Sequence, residues 1–206
     1  IDVDDFAATA RAWLAEHAGA APPDYGAICP PDLVEHAVGW HRLLHTAGYT
    51  GIHWPAQHGG RGLTPEHQGA WLVAAAEAGV PAMFNMVGLV LTAGAILQFG
   101  TDEQRREHLA PTATADRLWC QLFSEPGSGS DLASLSTSAE LVGDLATGTF
   151  VVNGQKVWCS GGRYSDWGIL LARTRTDGAK HEGISFVLVP MDLPGIEIRP
   201  LRQMTG

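Results

Sequence analysis

The stretch Ser124-Glu125-Pro126-Gly127-Ser128-Gly129-Ser130-Asp131 lies between an apolar run and a series of short strand-like segments. Its glycines and serines predict a loop whose backbone N–H groups approach a flat or anionic ligand closely, because glycine has no Cβ. Downstream, Asn153-Gly154 is a strong turn signal and predicts a hairpin leading into a strand that carries Trp158 and Ser160. A donor-rich loop beside an indole and a hydroxyl suits a large planar heterocycle with carbonyl and ring-nitrogen acceptors.

The residues before this loop have the periodicity of helices. Apolar side chains recur at helical spacing from residue 1 to about residue 110. Thr64 followed by Pro65, and the capping box that begins at Thr101, mark two helix starts by satisfying free N–H groups. We predict five helices: one from near Val3 to before Gly19, one from about Pro31 to near Gly48, one from Pro65, one over 87–99, and a short one that ends at Pro111.

After about residue 117 the pattern changes to that of β-strands. Short segments rich in Val, Ile, Leu, Thr and aromatic residues alternate with Gly, Asp, Asn or Pro, which predicts a small antiparallel β-barrel or sandwich. Helices followed by strands indicate the α+β class, with a helical domain over 1–116 and a β domain over 117–206. The predicted strands are 118–123, 136–142, 148–152, 155–160, 167–173, 184–190 and 196–200.

Composition and charge restrict the class of protein. The formal net charge of −9 argues against a nucleic-acid partner, which needs a clustered basic surface. Three widely spaced cysteines fit a reducing compartment, no apolar run approaches the ~20 residues that span a bilayer, and no signal pattern begins the chain. We therefore expect a cytoplasmic protein without membrane insertion. Because the chain stops at Met204-Thr205-Gly206, directly after a predicted strand, we expect a fragment of a longer protein.

Several residues have alternative interpretations on the sequence alone. His41 and His45 have a spacing that suits a metal site, but no Cys pair or HExxH pattern accompanies them, so we favour a solvated helix face and no metal. Trp158 is either a core residue or a ligand contact. The 127–130 stretch matches neither a dinucleotide loop nor a serine-nucleophile turn, and a Gly-Ser linker remains the alternative. On the predicted helices, Trp13, Trp40 and Trp71 are expected to be core residues.

Five motifs in this order resemble segments of the acyl-CoA dehydrogenase family. They are Gly59-Gly60-Arg61-Gly62, 99–104, 124–131, 153–160 and 180–185, and the resemblance covers nearly the whole chain. Members of that family have an N-terminal helical domain, a middle β domain and a C-terminal four-helix domain. The resemblance implies that this chain corresponds to the first two domains.

The resemblance also implies a set of FAD contacts. Ser124 would bind the pyrimidine side of the flavin, Trp158 would pack against the ring, and Ser160 would donate towards N5. The full implied set is Gln121, Phe123, Ser124, Gly129, Ser130, Trp158 and Ser160, with Ser130 also contacting the acyl-CoA. Gln121 and Ser124 replace the Tyr and Thr common in the family but keep a donor and a hydroxyl. Arg163, Lys180 and His181 are either CoA phosphate contacts or ordinary surface charges.

The implied reaction is α,β-dehydrogenation of an acyl-CoA thioester in lipid degradation or β-oxidation. The base would be a glutamate of the absent C-terminal domain, whereas Glu125 corresponds to a structural loop residue. Implied partners are the acyl-CoA substrate, an electron-transfer flavoprotein, and further subunits in a homo- or heterotetramer or a dimer. An acyl-CoA oxidase, a flavin monooxygenase of the same superfamily, and a non-catalytic subunit of a heteromeric dehydrogenase remain alternatives.

Overall fold

Helices come first along the chain and strands second. The computed structural model describes residues 1–23, 25–26, 28–144 and 147–201. The chain divides into two units, Ile1–Leu118 and Trp119–Gly206. The first is helical and the second is built around one sheet, so the predicted α+β class is confirmed. Within the described ranges, no helix is both long enough and apolar enough to cross a lipid bilayer.

The described residues of the first unit form five α-helices, and local capping defines several of their starts. Thr101 and Gln104 form the predicted capping box at 2.9 and 3.2 Å. Thr64 also caps its helix, but the reciprocal partner is the imidazole of His67, which accepts from the Thr64 N–H at 3.3 Å. The helices are α1 (Val3–His17), α2 (Val34–Thr46), α3 (Pro65–Glu77), α4 (Ala93–Phe99), which continues a π-helical segment (Val87–Thr92), and α5 (Asp102–Thr114).

The prediction that the fifth helix ends at Pro111 is wrong, because α5 continues to Thr114. Proline has no N–H and leaves the carbonyl of Glu107 without its helical donor. Arg117 supplies the missing donor, since its Nη1 lies 3.1 Å from the Glu107 oxygen. The Arg117 backbone N–H also donates to the Pro111 carbonyl at 3.0 Å. A side chain beyond the helix therefore compensates for the proline inside it.

The helical unit has an aromatic core, as predicted from the helical periodicity. Trp40 and Trp71 are fully buried, and Trp13 packs against the same cluster. Both buried indoles donate to backbone carbonyls. The Trp40 N–H donates to the Pro81 carbonyl at 2.8 Å, and the Trp71 N–H donates to the Ala82 carbonyl at 2.9 Å. The two tryptophans thereby fix the chain that follows α3 against the core.

The interpretation of His41 and His45 as a solvated helix face is wrong. His41 is fully buried, and its Nε2 lies 3.0 Å from the Ala113 carbonyl while Nδ1 accepts from the Asn85 backbone N–H at 3.5 Å. Burial lowers the pKa of His41 to about 4, so the ring is neutral at pH 7. His45 bonds to the Thr50 hydroxyl at 2.8 Å. In the described part of the chain, no three His, Cys, Asp or Glu side chains are grouped as metal ligands.

The sheet of the second unit is mixed and open among its described strands, rather than a closed antiparallel barrel. β4 pairs in parallel with β1, with Trp119 opposite Trp167, and antiparallel with β5. β2 and β3 form an antiparallel hairpin, and β2 joins β4 only at Ser138 and Arg173. The strands are β1 (Trp119–Leu122), β2 (Ser138–Val142), β3 (Thr149–Asn153), β4 (Trp167–Arg173) and β5 (Ile184–Pro190).

Two of the seven predicted strands, 155–160 and 196–200, do not form, and Asn153-Gly154 is not a hairpin turn. β3 ends at Asn153, and its antiparallel partner is the preceding β2 rather than a following strand. Gly154 is needed for a close approach, because a Cβ there would lie 2.2 Å from the Thr137 hydroxyl oxygen. The last predicted feature, the chain end at 204–206, lies outside the described residues.

Candidate functional site

The loop that follows β1 and the segment that follows β3 meet through three hydrogen bonds. The backbone N–H of Val157 donates to the carbonyl of Ser124 at 2.8 Å. Lys156 Nζ donates to the Phe123 carbonyl at 3.0 Å and to Glu125 Oε1 at 2.8 Å. Residues 123–125 and 156–157 therefore lie side by side, and the structure brings together the two stretches that the sequence singles out.

Glu125 is a buried carboxylate that organises the loop. It accepts from the backbone N–H and hydroxyl of Ser136 at 2.7 and 2.8 Å, from the N–H of Thr137 at 2.9 Å, and from Lys156. Burial acts to raise the pKa of this carboxyl, but the hydrogen bonds, first among them that from Lys156, lower it far below its usual range. An ionised carboxylate with this many donors is a poor general base, which agrees with a structural role.

A tight turn shapes the loop beyond Glu125. The N–H of Glu125 donates to Ser128 O at 2.7 Å, and the N–H of Ser128 donates back at 3.1 Å. The Ser128 hydroxyl bonds to the Asp131 carbonyl at 2.8 Å. A Cβ at Gly127 or Gly129 would meet no atom of the described residues within 4 Å, so the backbone at these two glycines faces open space. The loop thus has a fixed shape and leaves room for a ligand against its glycines.

Trp158 has an unusual backbone and an exposed ring. Its φ is +59°, in the left-handed region, which costs a non-glycine residue about 1–2 kcal/mol. Trp158 is 67% exposed, so packing against the described residues does not compensate for this strain. The N–H of Ser160 bonds back to the Trp158 carbonyl at 3.0 Å and tightens the bend. Strained residues with exposed side chains concentrate at ligand sites.

The other residues that the resemblance implies lie on the same elements. Gln121 is half-buried on β1, opposite Ile169 of β4. The Phe123 ring meets Phe186 of β5 edge-on, with centroids 6.5 Å apart. The structure therefore groups Phe123 and Ser124 with the segment that carries Trp158, while Gln121 lies further back on the strand. Gly129, Ser130 and Ser160 are exposed.

Sequence reasoning missed two cations that hold the site together. Lys156 is buried in the pair with Glu125, although lysine normally suggests a solvated position. Arg173, at the end of β4, donates to the carbonyls of Ala133 at 2.9 Å and Glu182 at 3.1 Å, and so joins two loops. The only sequence signal for this pair was that the 124–131 motif contains a glutamate, Glu125, and the 153–160 motif contains a lysine, Lys156.

Lys180, Arg163 and His181 are considered as contacts for the CoA phosphates, and they differ in whether they already form an ion pair. Lys180 pairs with Asp131, and both side chains are more than half exposed. This pair ties the end of the serine loop to the turn before β5, so the Lys180 charge already has a counter-ion. Arg163 and His181 are exposed.

Comparison with known proteins gives consistent matches over both units. The family model described as acyl-CoA dehydrogenase, N-terminal domain, matches residues 2–116, and the one described as acyl-CoA dehydrogenase, middle domain, matches residues 120–206. Acyl-CoA dehydrogenase IpdE1 of Mycolicibacterium smegmatis is 40% identical over an alignment that covers 100% of this chain and 55% of that protein.

Solved structures match as well. The Tcur3481-Tcur3483 steroid ACAD aligns with a TM-score of 0.81 at 28% identity, covering 99% of this chain and 51% of that chain. The ChsE4-ChsE5 complex from Mycobacterium tuberculosis aligns with a TM-score of 0.80 at 30% identity, covering 99% and 50%. The chain therefore spans about half the length of the relatives it matches.

Proposed function

The chain belongs to the acyl-CoA dehydrogenase family, and on this premise we propose that the protein oxidises an acyl-CoA thioester at its Cα–Cβ bond with FAD as the cofactor. A base removes the α proton while the β hydrogen leaves as hydride. Bound FAD would accept that hydride at its ring system. The relatives named as acyl-CoA dehydrogenases support this reaction class.

The observation that carries the FAD assignment is the placement of Trp158. Its indole is held exposed on a strained backbone, on a segment that is hydrogen-bonded to the loop of Ser124. A flat apolar ring system stacked on this indole would cover a surface that the described chain leaves open. The open backbone at Gly129 suits the polar chain of such a cofactor.

We assign roles to the chain's own residues as part of this proposal. The hydroxyls of Ser124 and Ser160 would donate to acceptors of the flavin ring, and the Gln121 amide, further back on β1, would supply another donor. Phe123 would contribute main-chain groups, Gly129 and Ser130 would meet the FAD chain, and Ser130 would also contact the acyl-CoA. Donors fixed in this way would stabilise negative charge on a bound flavin ring. Because Glu125 is bound to Lys156, it is a poor base, and we propose that the base is a residue outside 1–206.

Flavin binding is tested with the full-length protein. We expect the purified protein to be yellow and to release FAD on denaturation. Trp158→Ala combined with Ser160→Ala should lose most of the bound flavin, because stacking and a ring donor disappear together. Phe99→Ala is the matched control, since Phe99 is 78% exposed on α4 of the helical unit. Full flavin occupancy in the double variant contradicts the site.

Substrate and electron acceptor are proposed from the relatives. Because one structural relative is named a steroid ACAD, we include acyl-CoAs with steroid side chains beside straight-chain ones in a substrate panel. An electron-transfer flavoprotein is the proposed acceptor, so turnover should need an artificial acceptor in its absence. Steady hydrogen peroxide formation in air would instead identify an oxidase.

The assembly is also a proposal. A matching structure is named a ChsE4-ChsE5 complex, which supports an oligomer of like or unlike subunits. Native mass spectrometry of the full-length protein, alone and with candidate partner subunits, distinguishes the two. If flavin appears only in a mixed complex and the base is absent from the rest of this polypeptide, the chain is the non-catalytic subunit.

A further inference from the structure

The helical unit contains an apolar cavity of about 200 Å³. Its buried lining includes Tyr49, Trp54 and Leu89, which are at most 6% exposed. Leu72 and Val90 also line it and are 41% and 52% exposed, so the cavity reaches the surface beside them. A hollow with this lining is suited to an apolar molecule that enters from solvent.

The apolar lining is interrupted by two polar side chains, Gln68 and the exposed His53. Gln68, on α3, contributes to the wall, and its Nε2 is buried without a hydrogen-bond partner in the part of the chain that the structure describes. A buried donor without an acceptor destabilises the fold. A water molecule is held well only where two to four polar groups converge, and this lining is predominantly apolar. The unsatisfied amide therefore points to a ligand that brings its own acceptor.

The far wall is built from an uncommon element. Leu89 and Val90 belong to the π-helical segment Val87–Thr92, and single π turns are frequent at functional sites. Asn85 fixes the start of this segment, because its carbonyl accepts from the Leu89 N–H at 2.8 Å and its side chain donates to the Thr112 carbonyl at 3.1 Å. The wall is thus held in place by α5 before any ligand arrives.

We propose that this cavity binds an apolar ring that carries one oxygen, and that this oxygen accepts a hydrogen bond from Gln68 Nε2. An engineered apolar cavity of about 150 Å³ in another protein binds benzene, so the volume here admits a larger, bicyclic skeleton. A ketone or hydroxyl oxygen on such a skeleton satisfies the amide while the carbons fill the apolar space. The ring belongs either to the acyl group of a CoA thioester, in which case the inference rests on the proposed function, or to a free ligand.

The test uses the full-length protein and a matched pair of probes, 2-decalone and its hydrocarbon decalin, followed by ligand-observed NMR. The wild type should bind the ketone about tenfold more tightly than the hydrocarbon. Gln68→Leu should remove that preference, keep hydrocarbon binding, and raise the Tm of the ligand-free protein, because an unsatisfied buried donor disappears. Gln98→Leu, at an exposed position of α4, is the control and should keep the preference.

A second variant separates cavity volume from the hydrogen bond. Val90→Trp should close the opening and weaken binding of both probes at least tenfold. Equal affinity for ketone and hydrocarbon in the wild type, or an unchanged preference in Gln68→Leu, overturns the inference. Competitive inhibition of acyl-CoA oxidation by 2-decalone identifies the acyl group as the source, whereas binding without an effect on KM identifies a separate ligand. A colourless protein that still shows the ketone preference refutes only the proposed flavin function.

Discussion

Lys156 Nζ lies 2.8 Å from Glu125 Oε1, and both side chains are less than 10% exposed. The two residues are 31 positions apart in sequence, one in each of the segments that form the candidate site. The same ammonium group donates to the Phe123 carbonyl, so one side chain fixes both the charge and the backbone of the serine loop.

Removal of either partner of this pair should be costly. Lys156→Met leaves a buried carboxylate without its cation, and we expect it to lower the free energy of unfolding of the β unit by about 3–5 kcal/mol. The double variant Lys156→Met/Glu125→Gln carries no buried charge and should recover most of that loss. Urea unfolding followed by fluorescence measures both variants.

The control for this pair is Arg175→Met, which breaks an exposed ion pair with Asp177 and should change stability by less than about 1 kcal/mol. If Lys156→Met is no more destabilised than Arg175→Met, the buried pair does not organise the loop.

Acid should destabilise the helical unit through His41. Its pKa is lowered from 6.5 to about 4 in the folded protein, so the unfolded chain binds the extra proton. The stability is fully present above about pH 6.5 and is lost as the pH falls towards 4. Between pH 7 and pH 5 the loss is about 2 kcal/mol by linkage. Urea unfolding at both pH values measures it.

His41→Gln should be less stable at pH 7 yet lose this part of the pH dependence. His181→Gln, at an exposed position of the β unit, should retain it. An identical slope in wild type and His41→Gln would assign the acid sensitivity to other groups.

The backbone of Trp158 predicts opposite effects on stability and on ligand binding. Glycine adopts φ near +59° without strain, so Trp158→Gly should be more stable than Trp158→Ala by about 1 kcal/mol. Both variants should bind FAD at least tenfold more weakly than the wild type, because the indole is gone. Thermal unfolding and flavin titration of the same samples separate the two effects, and a Trp158→Ala variant as stable as Trp158→Gly would argue against strain.

The close approach at Gly154 predicts intolerance of even one methyl group. In Gly154→Ala the new Cβ would meet the Thr137 side chain, and the backbone must shift, at a cost of about 1–3 kcal/mol. In Gly94→Ala, on α4, the new Cβ would meet no atom of the described residues within 4 Å, and the variant should be slightly more stable, since alanine is the better helix former. Thermal unfolding of both variants gives the comparison, and an undisturbed Gly154→Ala would mean that the two segments have room to spare.

Features that depend on neighbouring residues were predictable from the sequence. The Thr101–Gln104 capping box involves positions three apart, and the burial of Trp40 and Trp71 follows from helical spacing. The α+β order follows from the change in periodicity near residue 117. The assignment of flavin contacts stays a prediction, although Ser124 and the segment of Trp158 are adjacent.

Features that depend on distant residues were not predictable in the same way. Proline usually ends a helix, but α5 continues past Pro111 because the Arg117 side chain donates to the Glu107 carbonyl. This contact forms only after the chain has turned back beyond the helix. Asn153-Gly154 has the local preference for a hairpin turn, but no such turn forms there. Gly154 instead packs closely against Thr137. The burial of Lys156 depends on Glu125, and nothing in its immediate sequence marks it as buried.

The parallel pairing of β1 with β4 closes a loop that contains both site segments. With Trp119 opposite Trp167, the ladder joins the ends of the stretch in which Ser124 and Trp158 lie. Such a pairing forms slowly, because a long loop must close before the strands interact. A ligand that contacts both segments therefore also stabilises the pairing of β1 with β4. Ligand binding should slow hydrogen exchange of the backbone amides along β1 and β4, including amides far from the ligand.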